Sequence, residues 1–160
     1  MQYLDTTQHD KLKHITSIAR LYHEEYVWID KFTLRNLELL YSTNENAKTL
    51  IDIIDRTQTP MGSRMLKRWV AFPLKDIAQI NTRLQLVEFF TKSYDFVQEL
   101  INNLRHIGDL ERLISKVSIA KAGPRDVVQI NNALFAIKKI KNLFPQQSPV
   151  SVLAGQLNEC

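Results

Sequence analysis

The stretch TPMGSRMLKRW at residues 59–69 decides the fold, because it contains a helix start that can be read residue by residue. The hydroxyl of Thr59 can accept a backbone N–H as the N-cap group. Pro60 suits the first helical position, where its missing N–H donor costs nothing. Pro73 disfavours helical backbone in the residue before it, so the helix should end there. The stretch therefore predicts a helix that begins at Pro60 and ends before Pro73.

Three basic residues of this helix, Arg64, Lys67 and Arg68, lie three and four positions apart. Residues at these spacings are neighbours on a helix surface, so they form one basic patch. The patch either contacts phosphate groups or is a solvated face opposite the core. The apolar residues between them, including Leu66 and Trp69, favour the solvated face.

Working outward, apolar residues recur at steps of three and four along most of the chain, which is the period of an α-helix. The stripes and the caps before them predict further helices. In chain order, they cover about residues 12–22, 31–36, 48–56, 77–90, 94–104, 110–114 and 124–144, and Asp30 caps the second of them. The stripe after Asp76 is spaced to face the core, and it comprises Ile77, Ile80, Leu84, Val87 and Phe90. The last helix carries an apolar stripe on one side, which comprises Val127, Ile130, Leu134, Ile137 and Phe144.

One region departs from the helical pattern. Residues 26–29, Tyr-Val-Trp-Ile, are aromatic and β-branched, and they suit a short strand. Residues 37–40, Leu-Glu-Leu-Leu, provide a possible partner strand. The predicted fold class is therefore mainly α, a multi-helix array with a small two-stranded β element near residues 26–40.

Composition excludes several classes of protein. The 160 residues carry 21 Lys and Arg against 17 Asp and Glu, a formal charge of +4, and 44% of them are hydrophobic. Cys160 is the sole cysteine, so neither an internal disulfide nor a cysteine-based metal site is possible. No apolar run approaches the roughly 18 residues of a membrane span. We expect a cytoplasmic protein.

Tests for chemistry find no catalytic, cofactor-binding or metal-binding residues. The four glycines lie too far apart for a phosphate-binding loop, which needs two glycines flanking four residues before Lys and Ser or Thr. The four histidines show no ligand spacing on a common helix face. Asp109 and Glu111 are best interpreted as helix-start acids, with Arg112 as their ion-pair partner. The sequence therefore offers no convincing set of catalytic residues for a stand-alone helical hydrolase.

Several segments in order point to one family. They are YVWID at 26–30, TLRNLEL at 33–39, DRT at 55–57, TPMGSRMLKRW at 59–69, NTR at 81–83, GDLERL at 108–113 and GPRD at 123–126. Together they resemble the core, lever-bearing domain of the MutS family of DNA mismatch repair proteins. The resemblance covers roughly residues 9–145. It implies that residues 1–145 are the first part of a core domain, and that residues 146–160 are a linker and the truncated start of a following segment.

The resemblance implies a structural, force-transmitting role in a longer protein. Proteins of this family are dimeric, DNA-dependent ATPases with mismatch-binding, connector, core, clamp and ATPase domains. We interpret the chain as an excised fragment without cofactors or ATPase activity of its own. ATP and Mg, mismatched double-stranded DNA, the connector, clamp and ATPase domains and a second protomer would be partners of the full-length protein. The alternative is a MutS-like paralogue that acts on branched DNA without mismatch recognition.

Two groups of residues are the predicted sites. The stretch 116–141 holds six basic residues against Asp126 alone, so it could contact an anionic partner. Its candidates for weak DNA or phosphate contacts are Lys121, Arg125, Lys138, Lys139 and Lys141. A helix over 124–144 would span roughly 30 Å and could begin a lever. The hub on which it pivots is predicted to comprise Thr59, Gly62, Arg64, Trp69, Asp109 and Arg112.

Overall fold

The computed structural model describes residues 25–44, 47–144 and 150, and within them the chain is mainly helical. Seven helices occur in these ranges: α1 Lys31–Asn36, α2 Leu50–Ile54, α3 Pro60–Ala71, α4 Ile77–Lys92, α5 Tyr94–Leu104, α6 Leu110–Ser118 and α7 Pro124–Leu143. The predicted helix over 12–22 lies outside the described residues. In the described part of the chain, no helix is both long and apolar enough to cross a membrane.

The helix starts follow the sequence closely. The hydroxyl of Thr59 accepts the N–H of Gly62 at 3.0 Å, and Pro60 occupies the first turn of α3, as predicted. Asp30 and Asp76 cap α1 and α4 in the same way. At α2 the capping is reciprocal, since Asp52 also accepts the N–H of Thr49 at 2.9 Å. These local bonds satisfy donors that a helix leaves unpaired at its N-terminus.

The predicted two-stranded element is wrong in both halves. Tyr26 forms an isolated antiparallel bridge with Leu74, not with residues 37–40. Residues 37–40 form a turn, in which Leu37 is the C-cap of α1 and Glu38 adopts a left-handed backbone with φ of 49°. The carbonyls of Glu38 and Leu39 accept N–H groups from the start of α2. Because these carbonyls are used there, the segment cannot pair as the predicted strand.

The buried core lies mainly between α5 and α7. Ala133, Ala136 and Ile140 on α7 pack with Ile107, which follows α5. Partly buried apolar residues surround them, namely Met61, Leu100, Leu104, Leu110, Ile137 and Phe144. Two alanines at the centre of the contact let the two helices approach closely, because they add little side-chain volume.

Two predicted apolar stripes, the core-facing one on α4 and the one on α7, are not the buried faces of their helices. On α4, Ile77, Leu84 and Val87 are exposed. On α7, Val127 and Leu134 are also exposed, and the buried face is the one that carries Ala133 and Ala136. The large apolar residues of α7 are spread around its circumference, so their spacing alone could not identify the face that α5 covers.

An aromatic cluster connects the junction between α4 and α5 to the end of α7. Phe96 contacts Phe89, Phe90 and Phe144, with ring centroids 5.6–6.2 Å apart. Only Ser93 separates α4 from α5, so the cluster lies at the junction of these two helices. Edge-to-face and offset aromatic pairs of this kind add stabilisation beyond the burial of their area.

We expect Ile140→Ala to lower the free energy of unfolding by about 2–5 kcal/mol, since it opens a cavity in the α5–α7 core. The exposed Val128→Ala should change it by less than about 0.5 kcal/mol, as is usual for surface substitutions. Urea unfolding of both variants measures the difference. Equal losses would contradict the core described here.

Candidate functional site

The side chain of Arg64 joins α3 to α6. Its two terminal nitrogens donate to the two carboxylate oxygens of Asp109, each at 2.7 Å. Nη2 and Nε also donate to Oε2 of Glu111, at 2.5 and 3.2 Å. The guanidinium thus binds the carboxylate of Asp109 in a bidentate arrangement and also binds one carboxylate oxygen of Glu111. These contacts join residues 45 and 47 positions apart in sequence. We call Arg64, Asp109 and Glu111 the Arg64 bridge.

The carboxylate of Asp109 also caps α6. Its Oδ1 accepts the N–H of Arg112 at 3.3 Å, as expected for the N-cap residue. The hydrogen bonds from Arg64, followed by the one from the Arg112 backbone, hold the pKa of Asp109 down at about 2. Its hydrogen bonds to Asp109 and then to Glu111 raise the pKa of Arg64. Asp109 and Arg64 are therefore both charged at neutral pH.

The ion-pair partner predicted for Asp109 needs correction. Arg112 contributes its backbone N–H, whereas the side chain that binds the carboxylates comes from Arg64 on another helix. The guanidinium of Arg64 reaches from α3, binds Asp109 end on through its two Nη atoms, and binds Glu111 side on through Nε and Nη2.

A second polar cluster fixes the turn that leads into α3. The carboxylate of Asp55 accepts the hydroxyls of Ser63 at 2.5 Å and Thr57 at 2.6 Å, together with the N–H of Thr57. The Ser63 hydroxyl and then the Thr57 groups lower the pKa of Asp55 to about 2. Asp55 therefore anchors the turn between the end of α2 and the start of α3.

Gly62 is required by the same turn. A Cβ atom there would lie 3.2 Å from Oγ1 of Thr59 and 3.3 Å from Cβ of Thr57. The hydroxyl of Thr59 must stay close because it caps α3, so a larger residue would crowd the cap. A further bond, from Nε of Arg105 to Oε1 of Gln58 at 3.1 Å, ties this turn to the end of α5.

The arrangement is suited to holding helices together rather than to reaction chemistry. The guanidinium of Arg64 is engaged with two carboxylates, and Asp109 and Asp55 are too acidic to act as general bases near neutral pH. Among the described residues, no three His, Cys, Asp or Glu side chains gather as a metal site would require. The bridge connects elements distant in sequence, which is what a structural junction needs.

Comparison with known proteins identifies the family. A family model described as MutS domain III matches residues 32–158. The comparison covers the whole of this chain. Its sequence is 48% identical to the DNA mismatch repair protein MutS of Bacteroides fragilis and 47% identical to that of Flavobacterium psychrophilum. The chain belongs to the MutS domain III family. The MutS of Porphyromonas gingivalis is 45% identical, again over the whole chain.

The domain III chain spans 19% of the length of the Bacteroides fragilis and Flavobacterium psychrophilum relatives. The family resemblance inferred from the ordered motifs is confirmed. These relatives are named as mismatch repair proteins, and the comparisons give no support to the branched-DNA paralogue.

The residues predicted to form the hub of this MutS domain III are only partly brought together. Thr59 and Gly62 meet in the cap of α3, and Arg64 reaches Asp109. Trp69 lies elsewhere: it is 45% exposed, and the guanidinium of Arg83 lies 4.0 Å above its ring. Trp69 therefore belongs to a contact between α3 and α4.

The predicted phosphate-contact residues lie at the surface of the domain. Lys121, Arg125, Lys138 and Lys139 are exposed, and Lys141 is half-buried. The nearby Lys116 donates to Asp126 at 2.9 Å, so the acid within this basic stretch is already neutralised. The hydrogen bonds from Lys116 and from the Gly123 N–H lower the pKa of Asp126.

Some contacts of the domain III site escaped sequence reasoning. The Arg64–Glu111, Asp55–Ser63 and Lys116–Asp126 contacts join residues 47, 8 and 10 positions apart. None of these spacings is the three or four residues that makes neighbours on one helix. Of the local contacts in this region, the sequence predicted the cap that Thr59 provides for α3.

We expect Arg64→Ala to lower the thermal unfolding midpoint by a few degrees, more than Arg68→Ala on the same helix. The carboxylates of Asp109 and Glu111 would lose their shared cation, so the repulsion between them would no longer be compensated. The bridge is solvent-accessible, so the difference should shrink at about 1 M NaCl, where the Debye length falls to about 3 Å. Circular dichroism melting at low and high salt measures it, and equal midpoints for both variants would contradict a stabilising bridge.

Acid should weaken the domain through Asp55. Its folded pKa of about 2 lies below the ordinary 3.8, so its contribution is complete above the ordinary value and is lost as pH falls toward 2. Asp55→Asn should flatten this part of the pH dependence, and Ser63→Ala should flatten it partly. Urea midpoints measured between about pH 4 and pH 2 test this linkage. A variant as acid-sensitive as the parent chain would refute it.

Proposed function

We propose that this chain is the structural core of a DNA mismatch repair ATPase and transmits motion between its mismatched-DNA-binding and ATP-binding parts. Membership of the MutS domain III family and the names of the relatives support this assignment. The chain corresponds to 19% of the relative from Bacteroides fragilis, so both activities would belong to other parts of the full-length protein.

The observation that carries the proposal is the Arg64 bridge beside the long helix α7. The 20 residues of α7 span about 30 Å at 1.5 Å per residue. Its buried face packs on α5, and α6 is fastened to α3 by the bridge. Close-packed helices have discrete arrangements rather than continuous compliance, so a displacement at one end is passed on as a rigid-body movement.

The partners follow from this role. ATP and Mg would be bound by an ATPase domain, and mismatched duplex DNA would be gripped by other domains of the same protein. The connector, clamp and ATPase domains would contact this core, and the full-length protein would be a cytoplasmic homodimer. A domain that relays motion needs such contacts at its surface and no catalytic group of its own.

Weak phosphate contacts by the basic stretch are part of the proposal. Lys121, Arg125, Lys138 and Lys139 are exposed, and the only acid of that stretch, Asp126, is bound by Lys116. Lysine and arginine contacts to phosphates add affinity without reading sequence. Lys141 is half-buried and would contribute less.

A domain exchange tests the relay. The chain replaces the corresponding segment of Bacteroides fragilis MutS, with which it shares 48% identity, and Arg64→Ala is introduced into the chimera. ATP hydrolysis without DNA and affinity for mismatched duplex should remain near those of the parent chimera. The change in ATPase rate caused by mismatched DNA should fall about fivefold or more, within the usual range of coupling between sites.

Arg68→Ala is the matched control, since it removes an exposed arginine from the same helix. It should leave the response to mismatched DNA unchanged. If Arg64→Ala lowers the thermal midpoint of the chimera but leaves its response intact, the bridge is purely stabilising and the relay proposal fails.

A further inference from the structure

An open cavity lies between the end of α5 and the middle of α7. Its volume is about 380 Å³, within the range of small-ligand sites. Six residues line it: Asn103, His106, Asn132, Phe135, Ala136 and Lys139. Ala136 belongs to the buried α5–α7 core, so the cavity ends on that core. The cavity shares no residue with the Arg64 bridge, and the proposed relay does not use it.

The lining of this cavity contains a cation and no carboxylate. The ammonium group of Lys139 is exposed, and none of the ion pairs among the described residues uses it. Because no acid of the lining neutralises this charge, the cavity attracts an anionic group.

Two side-chain amides give the cavity both hydrogen-bond donors and acceptors. The amide nitrogen of Asn103 donates to the carbonyl of Glu99 at 2.8 Å, which leaves the amide oxygen as an acceptor. Asn132 is exposed, and its amide carries both a donor and an acceptor. Such groups match the polar edge of an unpaired nucleobase, which also presents donors and acceptors.

The ring of Phe135 supplies a flat apolar surface beside these polar groups. Its side chain is 60% exposed, and the aromatic contacts among the described residues do not include it. Asn132, Phe135 and Lys139 follow one another at steps of three and four, so they share one face of α7. A base can stack on such a ring while a lysine one turn away meets the phosphate beside that base.

The same face of α7 continues toward the start of the helix. Arg125 is exposed and lies seven positions before Asn132, about two helical turns away. Arg125 and Lys139 are therefore about 21 Å apart along the helix axis. A strand with phosphates at regular intervals can meet both cations, whereas a single small anion meets one. In a paired duplex the bases are stacked inside, so the Phe135 ring can reach only an unpaired base.

We propose that this cavity binds one unpaired nucleotide of single-stranded DNA. The ring of Phe135 stacks on the base, the amides of Asn103 and Asn132 bond to its edge, and Lys139 pairs with the adjoining phosphate. The phosphate contact rests on the weak contacts proposed above for the basic stretch, whereas the base contact is additional to them.

Abasic DNA separates the base contact from the phosphate contact. Fluorescence anisotropy at low salt measures how tightly the complete 160-residue chain binds a labelled oligothymidylate and an abasic strand with the same number of phosphates. We expect the oligothymidylate to bind about tenfold more tightly, because stacking of a base on an aromatic ring contributes about that much. Phe135→Ala should remove this preference. Phe32→Ala should keep it, since it removes a ring on α1 that is 73% exposed.

Lys139→Ala should weaken the binding of both strands and lower the slope of log affinity against log salt by about 1. Lys138→Ala removes an equal charge from a residue that does not line the cavity, so it should weaken binding less.

Equal affinities for the two strands, or a preference that persists in Phe135→Ala, would overturn the base contact and leave the weak phosphate contacts standing. A chain that binds neither strand would overturn both. An affinity for fully paired duplex that falls equally in Phe135→Ala would also overturn the proposal, since the paired bases cannot stack on the ring.

Discussion

The carboxylate of Asp109 makes two different kinds of bond, and the relation between α3 and α6 depends on both. Its oxygens bind the guanidinium of Arg64, and one of them also caps α6 through the N–H of Arg112. The cap orients the first turn of α6 and so fixes where the carboxylate points. The capping carboxylate lies within hydrogen-bond distance of Arg64. Local helix geometry and a long-range contact are therefore coupled at one side chain.

The α5–α7 core supplies the second constraint, and it is made of small residues. Ala133 and Ala136 bring the helices close, while Ile140 and Phe144 add larger apolar contacts toward the end of α7. The aromatic cluster around Phe96 connects this end to the α4–α5 turn. The bridge and the core together hold α3, α5, α6 and α7 in one arrangement.

Local chemistry made the helix starts predictable from sequence, and tertiary contacts decided the rest. Thr59, Asp76 and Asp109 cap helices because their side chains reach backbone groups two or three residues away. The buried face of α7 was not predictable, because its central alanines give a weaker apolar signal than Val127 or Leu134. The strand predicted over 37–40 failed because its carbonyls bind the start of α2. The ion-pair partners of Arg64 depend on how α3 packs beside α6, and the three- or four-residue spacings along one helix do not reveal this.

The two ends of α7 are held by unlike forces. Near its start, Lys116 pairs with Asp126 at 2.9 Å, whereas near its end Ile140 and Phe144 pack among apolar side chains. Added electrolyte weakens the first kind of attachment, and cooling weakens the second. Ionic strength therefore acts mainly on the attachment at the start of α7, and temperature acts mainly on the attachment at its end.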